Sequence, residues 1–129
     1  MPDRLGRRPV DRVNHFPSGP WSSGVPGIEV LAEQARRSHR AYLEFLRVPD
    51  LSAGVYVLPV DGKDLQSPHG EDEVYYVVRG RGSLRHGVVD QEVGPGDVLF
   101  VPAREPHQFH EIVEELVLLV VFGPAEGSR

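Results

Sequence analysis

The chain contains no cysteine. Disulfides, thiolate metal ligands and cysteine nucleophiles are therefore excluded, and a cytoplasmic protein is expected. Long apolar runs are also missing. The longest, Leu116 to Phe122, falls far short of the ~20 residues that span a bilayer and reads as a buried strand. Residues 1–30 hold no apolar stretch suited to a signal peptide or membrane anchor, so neither is expected. Basic residues are outnumbered by acidic ones, 14 to 19, for a formal charge of -5. Such a balance repels a phosphate backbone, and Arg4, Arg7, Arg8 and Arg12 are diluted by Asp3 and Asp11. That stretch reads as a solvated tail, and nucleic-acid binding is not expected. No glycine-rich dinucleotide loop or phosphate loop is present, so no organic redox cofactor is indicated.

What is present fits one domain. At 129 residues the chain can bury one core and hold one site. Residues 1–27 are rich in Pro, Gly, Ser and Arg and lack apolar periodicity, which suggests an irregular arm that Phe16 and Trp21 anchor on the body or on a partner subunit. From Ile28 to about Arg40, apolar residues at Ile28, Leu31 and Ala35, acids early and arginines late predict a short amphipathic helix. Residues 1–40 thus form the arm and helix, and residues 41–129 the main body. There short apolar runs alternate with turn residues, the pattern of an all-β barrel or sandwich. Ala41 to Val48 alternates, with Leu43, Phe45 and Arg47 on one face and Tyr42, Glu44 and Leu46 on the other. Gly80-Arg81-Gly82 is read as a chain reversal, and Gly94-Pro95-Gly96-Asp97 as the strongest turn. His107 to Val113 and Leu116 to Phe122 are read as two closing strands.

Two polar stretches carry the chemistry. In the first, Gln66 to Glu73 runs into the strand Val74 to Val78, whose alternation puts Glu73 on one face with Tyr75 and Val77. A carboxylate on an apolar face needs a cation or a proton. A metal shared with His69 would supply the charge; the alternatives are a loop of solvated acids with one surface histidine, or a partly buried His69 hydrogen-bonded to a carboxylate. In the second, Pro106 leads into a strand on which His107 and Phe109 share a face. If His107 faces inward it meets His69 and Glu73. Two imidazoles and one carboxylate leave positions open on an octahedral metal, which favours Fe(II) and tolerates Mn, Ni or Zn. Glu71 and Asp72 read as a solvated rim, His39 and His86 as surface residues, and His110 as facing away. Tyr75, Phe109 and Phe45 pack the core or line a pocket. Arg47, if inward, would hold an anionic substrate.

The two stretches resemble the motifs of small single-domain cupins. His69 fits the second histidine of the family's His-x-His pair, Glu73 the following glutamate and Gly80 the glycine beyond it. Gly96, Pro102 and His107 fit the second motif in order and spacing. The resemblance covers Lys63 to Phe122 and implies a double-stranded β-helix, or jelly-roll barrel, with one divalent metal per chain. The sequence departs from the pattern at three places. Ser67 stands where the first histidine is found, Arg104 replaces a glycine, and Glu111 stands where an asparagine often follows. His69, Glu73 and His107 remain as ligands, with Gln66 as a candidate further oxygen donor. A metal-dependent dioxygenase, or an isomerase or lyase, acting on a small organic molecule is implied. A non-catalytic ligand-binding barrel with a reduced or absent metal site is the alternative. A homodimer is expected because Tyr42, Leu46 and the aromatics of the arm offer apolar area beyond what one small barrel covers.

Overall fold

Two long strands carry the architecture. The computed structural model describes residues 12–16, 27–64 and 68–129. Its elements are β1 (Arg12–Phe16), α1 (Ile28–Arg37), β2 (Tyr42–Val48), β3 (Leu51–Leu58), β4 (Asp72–His86), β5 (Val89–Val93), β6 (Val98–Val101) and β7 (His107–Gly123). The strands are ordered β1-β2-β3-β7-β4-β5, with β6 also paired on β4. The β1–β2 pairing is parallel and the others antiparallel. This is the expected all-β fold with one short helix. The side chain of Phe16, together with Trp21, Gln66 and Ser67, lies outside what is described.

The expected reversal at Gly80 to Gly82 is not there: β4 runs through it to His86. Gly80 has φ +97°, and a Cβ there would collide with the carbonyl of Glu115. The β4–β7 register shifts three times between Val77 and Ser83. Glycine and bulges bend the strand sharply without turning it back. β7 bends alongside, so the two closing strands expected from the sequence are one, with Glu114 and Glu115 at the bend rather than in a turn. The bend folds the ribbon over on itself. Before it, β4 pairs with β6, and after it with β5. The first half supplies Tyr75 and Val77 to the core, and the second supplies Leu84 and, from β7, Phe109 and Ile112.

The outer face of the first half is covered by α1. Leu31, Ala32 and Ala35 pack on Leu43, Val55, Val57 and Val117, so the helix shares in burying the sheet rather than standing apart. Charges rim this contact. Arg36 bonds Glu115 at 2.6 Å, and Arg79 bonds Glu29 at 3.0 Å and Glu115 at 3.4 Å.

β2 departs from simple alternation. Its register slips between Glu44 and Leu46, which brings Arg47 to the same side as Glu44, where the two form a buried pair at 3.0 Å. Tyr42 points inward, edge-on to Tyr56 at 6.0 Å and Phe122 at 6.1 Å. The apolar area assigned from sequence to an outer Tyr42 is therefore inside the barrel. The exposed apolar side chains lie elsewhere: Val74 opposite Phe100 and Tyr76 opposite Val98 on β4 and β6.

Candidate functional site

The loop between β6 and β7 is stitched to the start of β4. Ala103 donates its amide to Asp72 Oδ1 at 2.8 Å, and Arg104 donates its amide to the His69 carbonyl at 2.6 Å. Arg104 has φ +66°, a left-handed conformation that glycine adopts without strain. That is the physical reason the second motif has a glycine at this place. The stitch brings the two motifs together. Glu73 and Tyr75 lie on the inner face of β4 and His107 at the start of β7, all three buried.

His107 joins the group. Its Nδ1 is 3.0 Å from the Glu105 carbonyl, which can only accept, so Nδ1 carries a proton. Nε2 faces the Tyr75 hydroxyl at 3.0 Å and Glu73 Oε1 at 3.2 Å. A carboxylate oxygen and a bare imidazole nitrogen repel each other at that distance, so a cation or a proton belongs between them. The His107 pKa is affected accordingly. Burial pushes it down, but the hydrogen bonds to Glu73 and the Glu105 carbonyl, with the Glu73 charge, outweigh burial and raise it. Glu73 Oε2 is buried without a hydrogen-bond partner among the described residues. Such an atom costs free energy unless something fills its place.

His69 stands across from this pair. Its ring centre is 6.5 Å from that of His107, and it meets the edge of Phe122 at 5.1 Å. Its Nε2 lies 3.7 Å from Glu126 Oε2. The Glu126 carboxyl is pushed up to about 7, first by burial and then by the charges of Glu44 and Glu73. The Tyr42 hydroxyl is buried in the same interior, and burial followed by the Glu126 and Glu44 charges raises its pKa. Among the described residues, no three of His, Asp and Glu are drawn in around one point as they stand. The donor set suits a divalent ion in kind: two imidazoles, one already oriented through its Nδ1, and carboxylates short of positive charge. An open cleft of about 310 Å³ lined by Pro68, Arg85, Gly87, Pro106, His107 and Gln108 reaches His107 from outside.

The structure brings His69, Glu73, His107, Tyr75 and Phe109 into one interior, with Phe109 edge-on to Tyr75 at 5.0 Å. Gln66 lies outside the described residues. Glu71, expected on a solvated rim, is buried and accepts the amides of Gly127 at 3.1 Å and Arg129 at 2.9 Å. The C-terminal residues fold back over it, a contact that nothing in the local sequence announces. Arg47, whose face the sequence left open, is inside, where it pairs with Glu44 and donates to the Glu126 carbonyl at 2.6 Å. His110 faces away as expected, bonded to Asp90 at 2.7 Å, and His86 meets Gln91 at 2.9 Å at the surface. Sequence reasoning missed Glu126, Tyr42 and Glu44. Glu126 sits between Pro124 and Gly127 and reads there as tail.

An uncharacterized protein of Streptomyces coelicolor is 46% identical over 99 residues, which are 77% of this chain and 93% of that protein. The crystal structure of TT1209 from Thermus thermophilus is similar with a TM-score of 0.59 at 28% identity, covering 66% of this chain and 83% of that one. That of DMSP lyase DddQ from Ruegeria pomeroyi is similar with a TM-score of 0.56 at 25% identity, covering 61% of this chain and 40% of that one. Residues 54–122 match the cupin domain family. With that match over more than half of its length, and with both motifs meeting in one barrel, the chain belongs to the cupin family.

Proposed function

We propose that this cupin holds one divalent metal ion on His69, Glu73 and His107, with Fe(II) favoured and Mn, Ni or Zn as other occupants, and that it acts on a small organic molecule. The observation that carries the reading is Glu73, a buried carboxylate with one oxygen against His107 Nε2 and the other without a partner among the described residues. A fold keeps such a group at a cost, which a bound cation removes. When bound, the metal would supply either joint binding of substrate and dioxygen, as an oxygenase needs, or polarisation of a carbonyl, as an isomerase or lyase needs. The similarity to DMSP lyase supports the lyase branch.

The chain's own residues do the rest. Glu105 fixes the His107 tautomer through its carbonyl. The Tyr75 hydroxyl lies 3.0 Å from the same nitrogen and satisfies it when no ion is bound. Phe122 packs its edge on His69 and Phe109 packs on Tyr75, which makes the inner wall of the site apolar. Arg85 and Gln108 line the cleft that leads to His107, which suits a small neutral or anionic molecule and gives no platform for nucleic acid. The uncovered Val74, Tyr76, Val98 and Phe100 face supports a homodimer.

A second reading keeps the barrel without the metal. His107 Nε2 is already contacted by Tyr75, and His69 is turned toward Glu126, which would suit a barrel that binds a small ligand without catalysis. Elemental analysis of protein purified without chelator or histidine tag separates the two. About one transition metal per chain supports the first; a chain that carries none and takes none up supports the second.

A further inference from the structure

The residues after β7 are built into the mouth of the barrel. The Glu126 amide donates to Ser52 Oγ at 2.8 Å, and its carbonyl accepts from Arg47 at 2.6 Å. Gly127 and Arg129 are tied to buried Glu71. Backbone bonds thus hold residue 126 on both sides, and its side chain is directed inward, 3.7 Å from His69 Nε2. Arg47 matches the charge of Glu44. Glu73 and Glu126 then remain as two carboxylates facing two imidazoles, and Glu73 has a buried oxygen with no partner among the described residues.

We propose that Glu126 is a ligand of the metal ion, taking the place that the first motif gives to a histidine and that this sequence fills with Ser67. The inference rests on the metal reading above. The centre is then two imidazoles and two carboxylates, His69, Glu73, His107 and Glu126. Two carboxylates neutralise a divalent ion fully, whereas a single glutamate leaves one positive charge. A second hard oxygen donor in place of nitrogen moves selectivity toward Mn(II) and Fe(II) and away from Zn(II). The ligand also comes from the segment that closes the mouth, so ion binding and closure of that segment are coupled.

The test uses the full chain, stripped of metal, with Mn(II) and Co(II) titrated by calorimetry and Co(II) followed by visible absorption. The parent should take up one ion. Removal of an outer partner of a metal site costs 10–100-fold in affinity, so Glu126→Gln, which removes a direct donor, should cost at least about a hundredfold and move the Co(II) bands. Glu126→His should restore binding with preference shifted from Mn(II) to Zn(II), and it serves as the second variant should Glu126→Gln fold poorly. A parent that binds one ion while Glu126→Gln matches it in affinity and Co(II) spectrum overturns the inference and leaves the metal reading standing. A parent that binds no ion overturns both.

Discussion

Two ionic clusters sit on opposite sides of the same sheet. Under α1, Glu29, Arg36, Arg79 and Glu115 alternate in sign, and every charge meets an opposite one at the margin of solvent. Inside the barrel, Glu73 and Glu126 face histidines that are neutral unless protonated, and Glu73 has a buried oxygen unpaired among the described residues. The outer cluster is a clamp whose value is small, because exposed pairs gain little over water. The inner cluster costs stability as it stands, and burial of unpaired charge on this scale is what functional sites share. The difference distinguishes charge that helps the fold from charge the fold tolerates.

The largest way to break that contrast is Glu73→Gln. The parent should be stabilised by metal by about 2.7 kcal/mol at a hundredfold excess over the dissociation constant, and Glu73→Gln should lose that gain. Thermal melting with and without ion reads it. Glu71→Gln comes next. It weakens two amide hydrogen bonds to a buried carboxylate and should cost about 2 kcal/mol, by denaturant unfolding, with the C-terminal segment exchanging its amides faster. Tyr75→Phe removes one buried hydrogen bond at His107 and should cost about 1 kcal/mol in metal-free protein. With metal the sign should reverse in binding, since His107 Nε2 is freed; calorimetry would show tighter uptake.

The smallest effect sharpens the other side. The Arg36 hydrogen bond and the positive charges of Arg36 and Arg79 lower the Glu115 pKa, against burial. A lowered carboxylate contributes stability that is present above its unfolded value, 4.5, and is lost as pH falls through the folded value. Melts from pH 7 downward should show this loss in the parent and not in Glu115→Gln. At neutral pH that variant should cost about 0.5 kcal/mol, in the range of partly exposed pairs.

How much of this was legible in the sequence follows from the range of the forces involved. The faces of Glu73 and His107 could be read because strand alternation is local and Pro106 fixes the start of β7, whereas His69 joined them through the resemblance to the cupin motifs. The helix could be read from Leu31 and Ala35, its apolar stripe. The bend at Gly80 was misread because a Gly-x-Gly serves a turn and a coiled strand equally. Only the Glu115 carbonyl, 35 residues away in the chain and pressed against Gly80, decides between them. Glu71 and Glu126 were beyond reach for a similar reason. What buries each is the fold-back of the last residues, a long-range contact with no periodicity. Arg47 was displaced by a single bulge in β2, which breaks the alternation that its placement assumed.

The central claim is that the inner cluster is completed by a metal ion, and one measurement addresses it most directly. Chelator-stripped full-length protein is melted alone and with Fe(II), Mn(II), Ni(II) or Zn(II), beside Glu73→Gln treated identically. The account predicts that at least one ion raises the melting temperature of the parent in a saturable way and leaves Glu73→Gln unmoved. Identical melting of the parent with and without all four ions would contradict it.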